Sequence, residues 1–170
     1  MGRHQALHFA IQQVPGQTVI TLGPTVLNSL GCNLQVEIAT AAAFVNKLAN
    51  PTPRKSIVLM AHLDTGASRT TISPVLAQYL GLVQTGVAPA QTANGTTQNP
   101  TYAIDIVFVG TTLAPRVDLS VGSCTLPFTL AAHAANANDP RNFGVLLGRD
   151  IMASWHLMWD GPTSTVIISD

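Results

Sequence analysis

One acid in this 170-residue chain stands between an apolar run and a Thr-Gly pair. The run Ser56-Ile57-Val58-Leu59-Met60-Ala61-His62-Leu63 reads as a strong strand that leads straight into Asp64-Thr65-Gly66-Ala67. A strand ending in this way can hold its backbone rigid while showing the carboxylate to a cleft. A carboxylate so placed can take a proton from water or, once protonated, give one to a carbonyl. Read alone, the tripeptide is common and fits a plain turn better than a catalytic loop. Other chemistries find less support. His4 and His8 have the spacing of a metal pair but lack a third ligand, so no metal is expected. Ser29 and Ser73 lack the glycines of a nucleophile elbow, and there is no phosphate loop. Cys32 and Cys124 make neither a metal-ligand spacing nor a disulfide framework, and both read as free thiols in a reducing compartment. No cofactor is expected.

A second motif narrows the reading. Val145-Leu146-Leu147-Gly148-Arg149-Asp150-Ile151-Met152 places two apolar residues and a glycine before an arginine and an acid. Together with Asp64-Thr65-Gly66-Ala67-Ser68-Arg69-Thr70-Thr71-Ile72, it resembles the paired signatures of the retropepsin-like aspartic proteases, retroviral enzymes and their bacterial single-domain relatives. The order of elements also matches, and the resemblance covers about residues 56–170.

The resemblance implies a mainly β fold, a closed β-barrel lobe with one to three short helices, acting as a homodimer. It implies that Asp64 is catalytic and that Thr65 hydrogen-bonds across the two-fold to the partner's loop. Gly66 would admit the substrate backbone, and Ala67 and Ser68 would line the cleft floor beside it. Asn94 and Gly95 would form the tip of a flap. Leu147 and Gly148 would pack beneath the catalytic loop, with Arg149 bracing it. Retroviral enzymes commonly carry an acid where Ser68 stands, and that acid pairs with the arginine matching Arg149. Here it is missing, so Arg149 must pair elsewhere or Asp150 must take part. His62 stands where the family is usually apolar and reads as a strand residue at an interface or cleft edge.

Two carboxylates sharing a proton are required for this chemistry, because adjacent like charges cannot both ionise. Only Asp64 has the right context, since Asp160-Gly161-Pro162 reads as a hairpin turn. A two-fold homodimer supplies the second carboxylate, and the C-terminal strand, 165–169, is the expected dimer sheet. The implied function is an aspartic endopeptidase acting on extended peptide or protein substrates. The alternative is a catalytically silent dimer of the same fold that grips peptides without cutting them.

The elements that must position these residues are legible as patterns. Strands are expected at 18–22, 33–38, 56–63, 101–108 and 165–169. Thr40 should cap a helix through residue 49, which Pro51 and Pro53 end. Ser73, Pro74 and Gly81 frame a second helix as N-cap, first position and stop. Asn94-Gly95 suits a type I′ hairpin turn, and residues 131–142 read as loop. Residues 1–16 read as a loose arm within a 1–55 extension packing on a 56–170 protease domain. Charged residues are only 9%, against ~25% in an ordinary domain, which favours a buried contact with a second copy. Zero net charge without a basic block excludes nucleic acid as a partner. No stretch has the length of a membrane span and no signal-peptide pattern opens the chain, so the cytoplasm is the expected location.

Overall fold

The structure, a computed structural model, describes residues 9–14, 17–22, 30–46, 53–92, 95–160 and 162–170. Within them the chain is mainly β. The strands, in order, are β1 (Phe9–Val14), β2 (Gln17–Leu22), β3 (Asn33–Thr40), β4 (Ser56–Leu63), β5 (Thr71–Ile72), β6 (Gln84–Thr92), β7 (Gly95–Phe108), β8 (Arg116–Ser123), β9 (Val145–Leu147), β10 (His156–Asp160) and β11 (Thr165–Ser169). Helices α1 (Pro74–Leu80), α2 (Leu130–Ala135) and α3 (Arg149–Met152) lie between them, with one turn of α-helix at Ala42–Val45.

Seven strands form a sheet in the order β3-β4-β9-β5-β8-β7-β6, and an added β3–β7 pairing closes six of them into a barrel. The closed lobe expected from the resemblance is present. Closure depends on β7, a 14-residue strand long enough to pair with β6, β8 and β3 along its length. Its register with β8 slips between Ile104 and Ile106, which lets the strand bend. Asp105, at the slip, accepts the backbone N–H of Asp118 at 2.9 Å and that of Ala42 at 3.2 Å, and it pairs with Arg54.

The barrel interior takes its residues from alternate positions of the strands. Leu34, Val36 and Ile38 come from β3, Ile104, Ile106 and Phe108 from β7, and all are buried. Alternation fails in the middle of β4, where Leu59, Met60 and Ala61 are buried in succession. Each large apolar side chain so buried contributes about 1.5–3 kcal/mol. A second sheet, β1-β2-β11-β10, joins the same core through Ile20, Val166 and Ile168.

Several local expectations need correction. Phe9–Val14, read as loose arm, is a strand paired with β2. The helix expected after Thr40 is described only as one turn, and residues 47–52 lie outside the described residues. Leu130–Ala135, read as loop, is helix α2: its alanines favour helix, and the Thr129 hydroxyl accepts the Ala132 N–H at 3.2 Å. The C-terminal strand is no free edge, because β11 is paired on one side with β2 and on the other with β10. The hairpin between β6 and β7 sets Gly95 opposite Thr92, inside the ladder. Gly95 has φ +114°, a conformation that suits glycine, and Asn94 lies outside the described residues.

Candidate active site

The two motifs meet because β4 and β9 run parallel. Ala61, His62 and Leu63 stand beside Val145, Leu146 and Leu147, so the strands end together at Asp64 and Gly148. β5 follows the Asp64 loop and pairs with the other side of β9. Residues 64–70 therefore arch over the end of β9, and Gly148 lies under the arch. A Cβ on Gly148 would stand 2.4 Å from the Arg69 carbonyl carbon and 2.7 Å from Thr70 N. Its φ of −95° is open to any residue, so glycine is required here for space alone.

Backbone hydrogen bonds tie the arch down. Asp64 N–H donates to Leu147 O at 3.0 Å, Ala67 N–H to Asp64 O at 3.1 Å, and Arg149 N–H to Ala67 O at 2.9 Å. The Asp64 side chain is half-buried, and its Oδ1 accepts the Gly66 N–H at 2.8 Å. A Cβ on Gly66 would come within 3.0 Å of that same oxygen, so glycine leaves room for the carboxylate itself. Thr65 is exposed, and its hydroxyl bonds to none of the described residues. Ser68 is exposed and Ala67 half-buried.

Arg149 braces the loop through its backbone N–H, while its side chain is exposed and makes no ion pair among the described residues. Thr70 and Asp150 carry the side-chain brace. The Thr70 N–H donates to both Asp150 carboxylate oxygens at 2.9 Å, and its hydroxyl donates to Asp150 Oδ1 at 2.7 Å. That hydroxyl also accepts the Gly148 N–H at 3.0 Å. Thr70 is fully buried, so its N–H and hydroxyl depend on these bonds. Asp150→Ala would leave the Thr70 N–H without an acceptor, at about 1–3 kcal/mol. Asp150→Asn keeps an acceptor oxygen and should cost less than half as much. Urea unfolding of the two variants measures the difference, and equal losses would remove this role from Asp150.

His62 stacks on Phe143 with ring centroids 5.0 Å apart, and its Nδ1 lies 3.3 Å from Asn33 Oδ1. Burial holds its pKa below the ordinary 6.5, against the pull of the Asp64 charge. The ring is thus a packed strand residue whose burial disfavours the charged form. Cys32 and Cys124 are free, and burial pushes the Cys32 thiol up to about 12, so it stays protonated.

Asp64 and Thr65 open onto a pocket of about 400 Å³ whose other wall is β10, through Leu157, Met158 and Trp159. Met158 and Trp159 are 54% and 53% exposed. Sequence reading missed this strand as part of the site, although three consecutive apolar residues on an exposed strand were the available signal. The β6–β7 hairpin contributes no wall to this pocket among the described residues.

A family described as aspartyl protease matches residues 55–151, more than half of the chain and both motifs. The chain belongs to the aspartyl protease family. No curated protein matches this aspartyl protease family member in sequence. Solved structures similar to it include a retropepsin-like aspartic protease from Rickettsia conorii, at 15% identity over 95% of this chain and 93% of that one, with a TM-score of 0.44. Another is the simian foamy virus (mac) protease, at 16% identity over 72% of this chain and 92% of that one, with a TM-score of 0.37. No helix among the described residues is long and apolar enough to cross a membrane.

Proposed function

We propose that this chain is an aspartic endopeptidase whose active unit is a homodimer, each copy supplying Asp64. The observation that carries the reading is the held carboxylate: a rigid, half-buried aspartate on an arch locked to Gly148, facing a pocket. One Asp64 would take a proton from a water while the other, protonated, donates to the scissile carbonyl. Thr65, with its hydroxyl unpartnered among the described residues, would bond across the two-fold. Gly66, Ala67 and Ser68 would flank the extended peptide, and Gly148 and Arg149 would support the loop from below. The test is cleavage of a denatured-protein mixture by purified protein, blocked by a transition-state-analogue inhibitor of aspartic proteases. An intact, correctly folded dimer that cuts nothing would defeat the reading.

The exposed apolar residues of β10 beside Asp64 support dimerisation there, because a second copy covering them would remove apolar surface from water next to the candidate acid. The interface is then expected on β10 rather than on the paired β11. Trp159→Ser should raise the dimer dissociation constant roughly tenfold or more, since buried tryptophans are common interface anchors. Sedimentation of wild type and variant decides this, and an unchanged constant would move the interface elsewhere.

The flap role of Asn94 and Gly95 remains within the same proposal. Gly95→Val meets no steric obstacle, as nothing lies within 4 Å of its Cβ position, but a β-branched residue resists φ +114°. If the hairpin closes over substrate, catalytic efficiency should fall more than the melting temperature. Normal turnover with lowered melting would mark an ordinary outer turn.

A further inference from the structure

We propose that the second copy docks edge to edge on β10, the two strands pairing antiparallel about a two-fold axis at Met158. The proposal rests on the homodimer reading above and names the contact that would join its two halves.

β10 ends the four-stranded sheet, and among the described residues it pairs with β11 alone. An open edge strand offers its unpaired N–H and C=O groups to another chain, and proteins usually block it with lysine, proline or a bulge. The edge strand of the barrel sheet, β6, is blocked in this way. It carries Gly86 and Pro89, and its register with β7 slips between Gln84 and Gly86. β10 has no such device. Its sequence, His156-Leu157-Met158-Trp159-Asp160, holds neither lysine nor proline, and its register with β11 is unbroken. Leu157, Met158 and Trp159 are all exposed.

The two faces of β10 restrict how a second copy can pair with it. Trp159 stands opposite Val166 and Leu157 opposite Ile168, so these two share the sheet face that Val166 and Ile168 bury in the core. His156, Met158 and Asp160 lie on the other face. Antiparallel strands related by a two-fold must set residues of the same face opposite one another, so the axis passes through a residue. Only the axis at Met158 pairs all five residues. It sets His156 opposite the partner's Asp160 at both ends, and Leu157 opposite the partner's Trp159 between them. The strand is thus complementary to itself in charge and in apolar character, and such cross-strand pairs stabilise a sheet.

Neither charged group is committed within its own chain. The Asp160 carboxylate accepts one long hydrogen bond, from Thr163 N–H at 3.4 Å, and the His156 ring has no partner among the described residues. Met158 also lines the pocket onto which Asp64 and Thr65 open. A two-fold at Met158 therefore brings the pockets of both copies to the axis, as a shared pair of carboxylates requires.

The test is sedimentation of the full-length protein and of two charge variants, alone and mixed. His156→Asp sets an acid opposite an acid at both ends of the pairing, and Asp160→Lys sets a base opposite a base. Each variant alone should have a dimer dissociation constant raised about tenfold, since like charges directly opposite destabilise a sheet. Mixed in equal amounts they should form a heterodimer about as tight as wild type, because each end then sets an acid opposite a base. Damage within one chain is not repaired by mixing, so recovery isolates the contact between chains. The recovery should shrink as salt rises. Single variants that dimerise like wild type, or a mixture as weak as its components, overturn the pairing. Peptide cleavage by a wild-type dimer in that case leaves the endopeptidase reading standing with its interface elsewhere. A wild-type protein that stays monomeric and cuts nothing defeats both.

Discussion

Asp64→Asn is expected to abolish peptide cleavage while fold and dimer survive. Asparagine nearly preserves the shape of aspartate, and its Oδ1 can still accept the Gly66 N–H now bonded at 2.8 Å. The arch is held by backbone bonds from Asp64 N, Asp64 O and Arg149 N, none of which involves the altered group. What is lost is the group that ionises. In the proposed homodimer the change falls in both subunits, so neither the proposed base nor the proposed acid remains. Loss of one positioned acid–base group costs roughly 10²–10⁴-fold, and here the pair disappears at once. Turnover should therefore fall below detection in a routine assay, with the melting temperature within a few degrees of wild type. Residual cleavage at the wild-type rate would take Asp64 out of the mechanism. Loss of activity accompanied by unfolding would show only that the loop had collapsed, so both quantities are measured on one preparation.

Gly148→Ala should be the most destabilising single methyl in the described structure. The new Cβ would meet the Arg69 carbonyl carbon at 2.4 Å, its oxygen at 2.7 Å and Thr70 N at 2.7 Å. These are backbone atoms and cannot rotate aside. The arch must lift, and the Gly148–Thr70, Thr70–Asp150 and Asp64–Leu147 hydrogen bonds must weaken together. Overpacking costs typically 1–3 kcal/mol where side chains can yield, so about 3 kcal/mol or more is expected here. In a chain of this size that is a drop of roughly 6–12 °C in melting temperature. Gly144 supplies the control. A Cβ there would meet Leu59 Cδ1 at 2.8 Å, Phe128 Cδ2 at 3.0 Å and Leu76 Cδ2 at 3.1 Å, all of them side-chain atoms that can shift. Gly144→Ala should lose markedly less. Equal losses at the two glycines, measured by thermal unfolding, would mean that the arch is not rigid.

Local sequence settled a good deal. The apolar run into Asp64-Thr65-Gly66 had to be a strand meeting a turn. Ser73, Pro74 and Gly81 marked both ends of α1, where Gly81 takes φ +66° and its N–H closes the last turn. Such signals are short-range, fixed by one residue's φ or by a period of two, and need no knowledge of the rest of the chain. Asp64 stood out as the candidate acid for the same reason, because its motif is contiguous.

The arch was decided by contacts between residues far apart in the chain. Asp64 and Gly148 are neighbours only because β4 and β9 run parallel, with β5 returning on the far side of β9. No periodicity encodes which strand pairs with which. Thr70 therefore looked like any threonine until burial and the Asp150 carboxylate gave it a role, and nothing local showed that Arg149 would meet the loop through its backbone N–H with its side chain exposed. The C-terminal strand was legible as a strand, but its lack of a free edge was not, since the neighbours on either side are β2 and β10. Element type follows from local conformational preference, whereas edge, register and partner follow from how the whole chain buries its apolar surface. The proposed chemistry rests on a local motif, and the geometry of the loop that holds it rests on that packing.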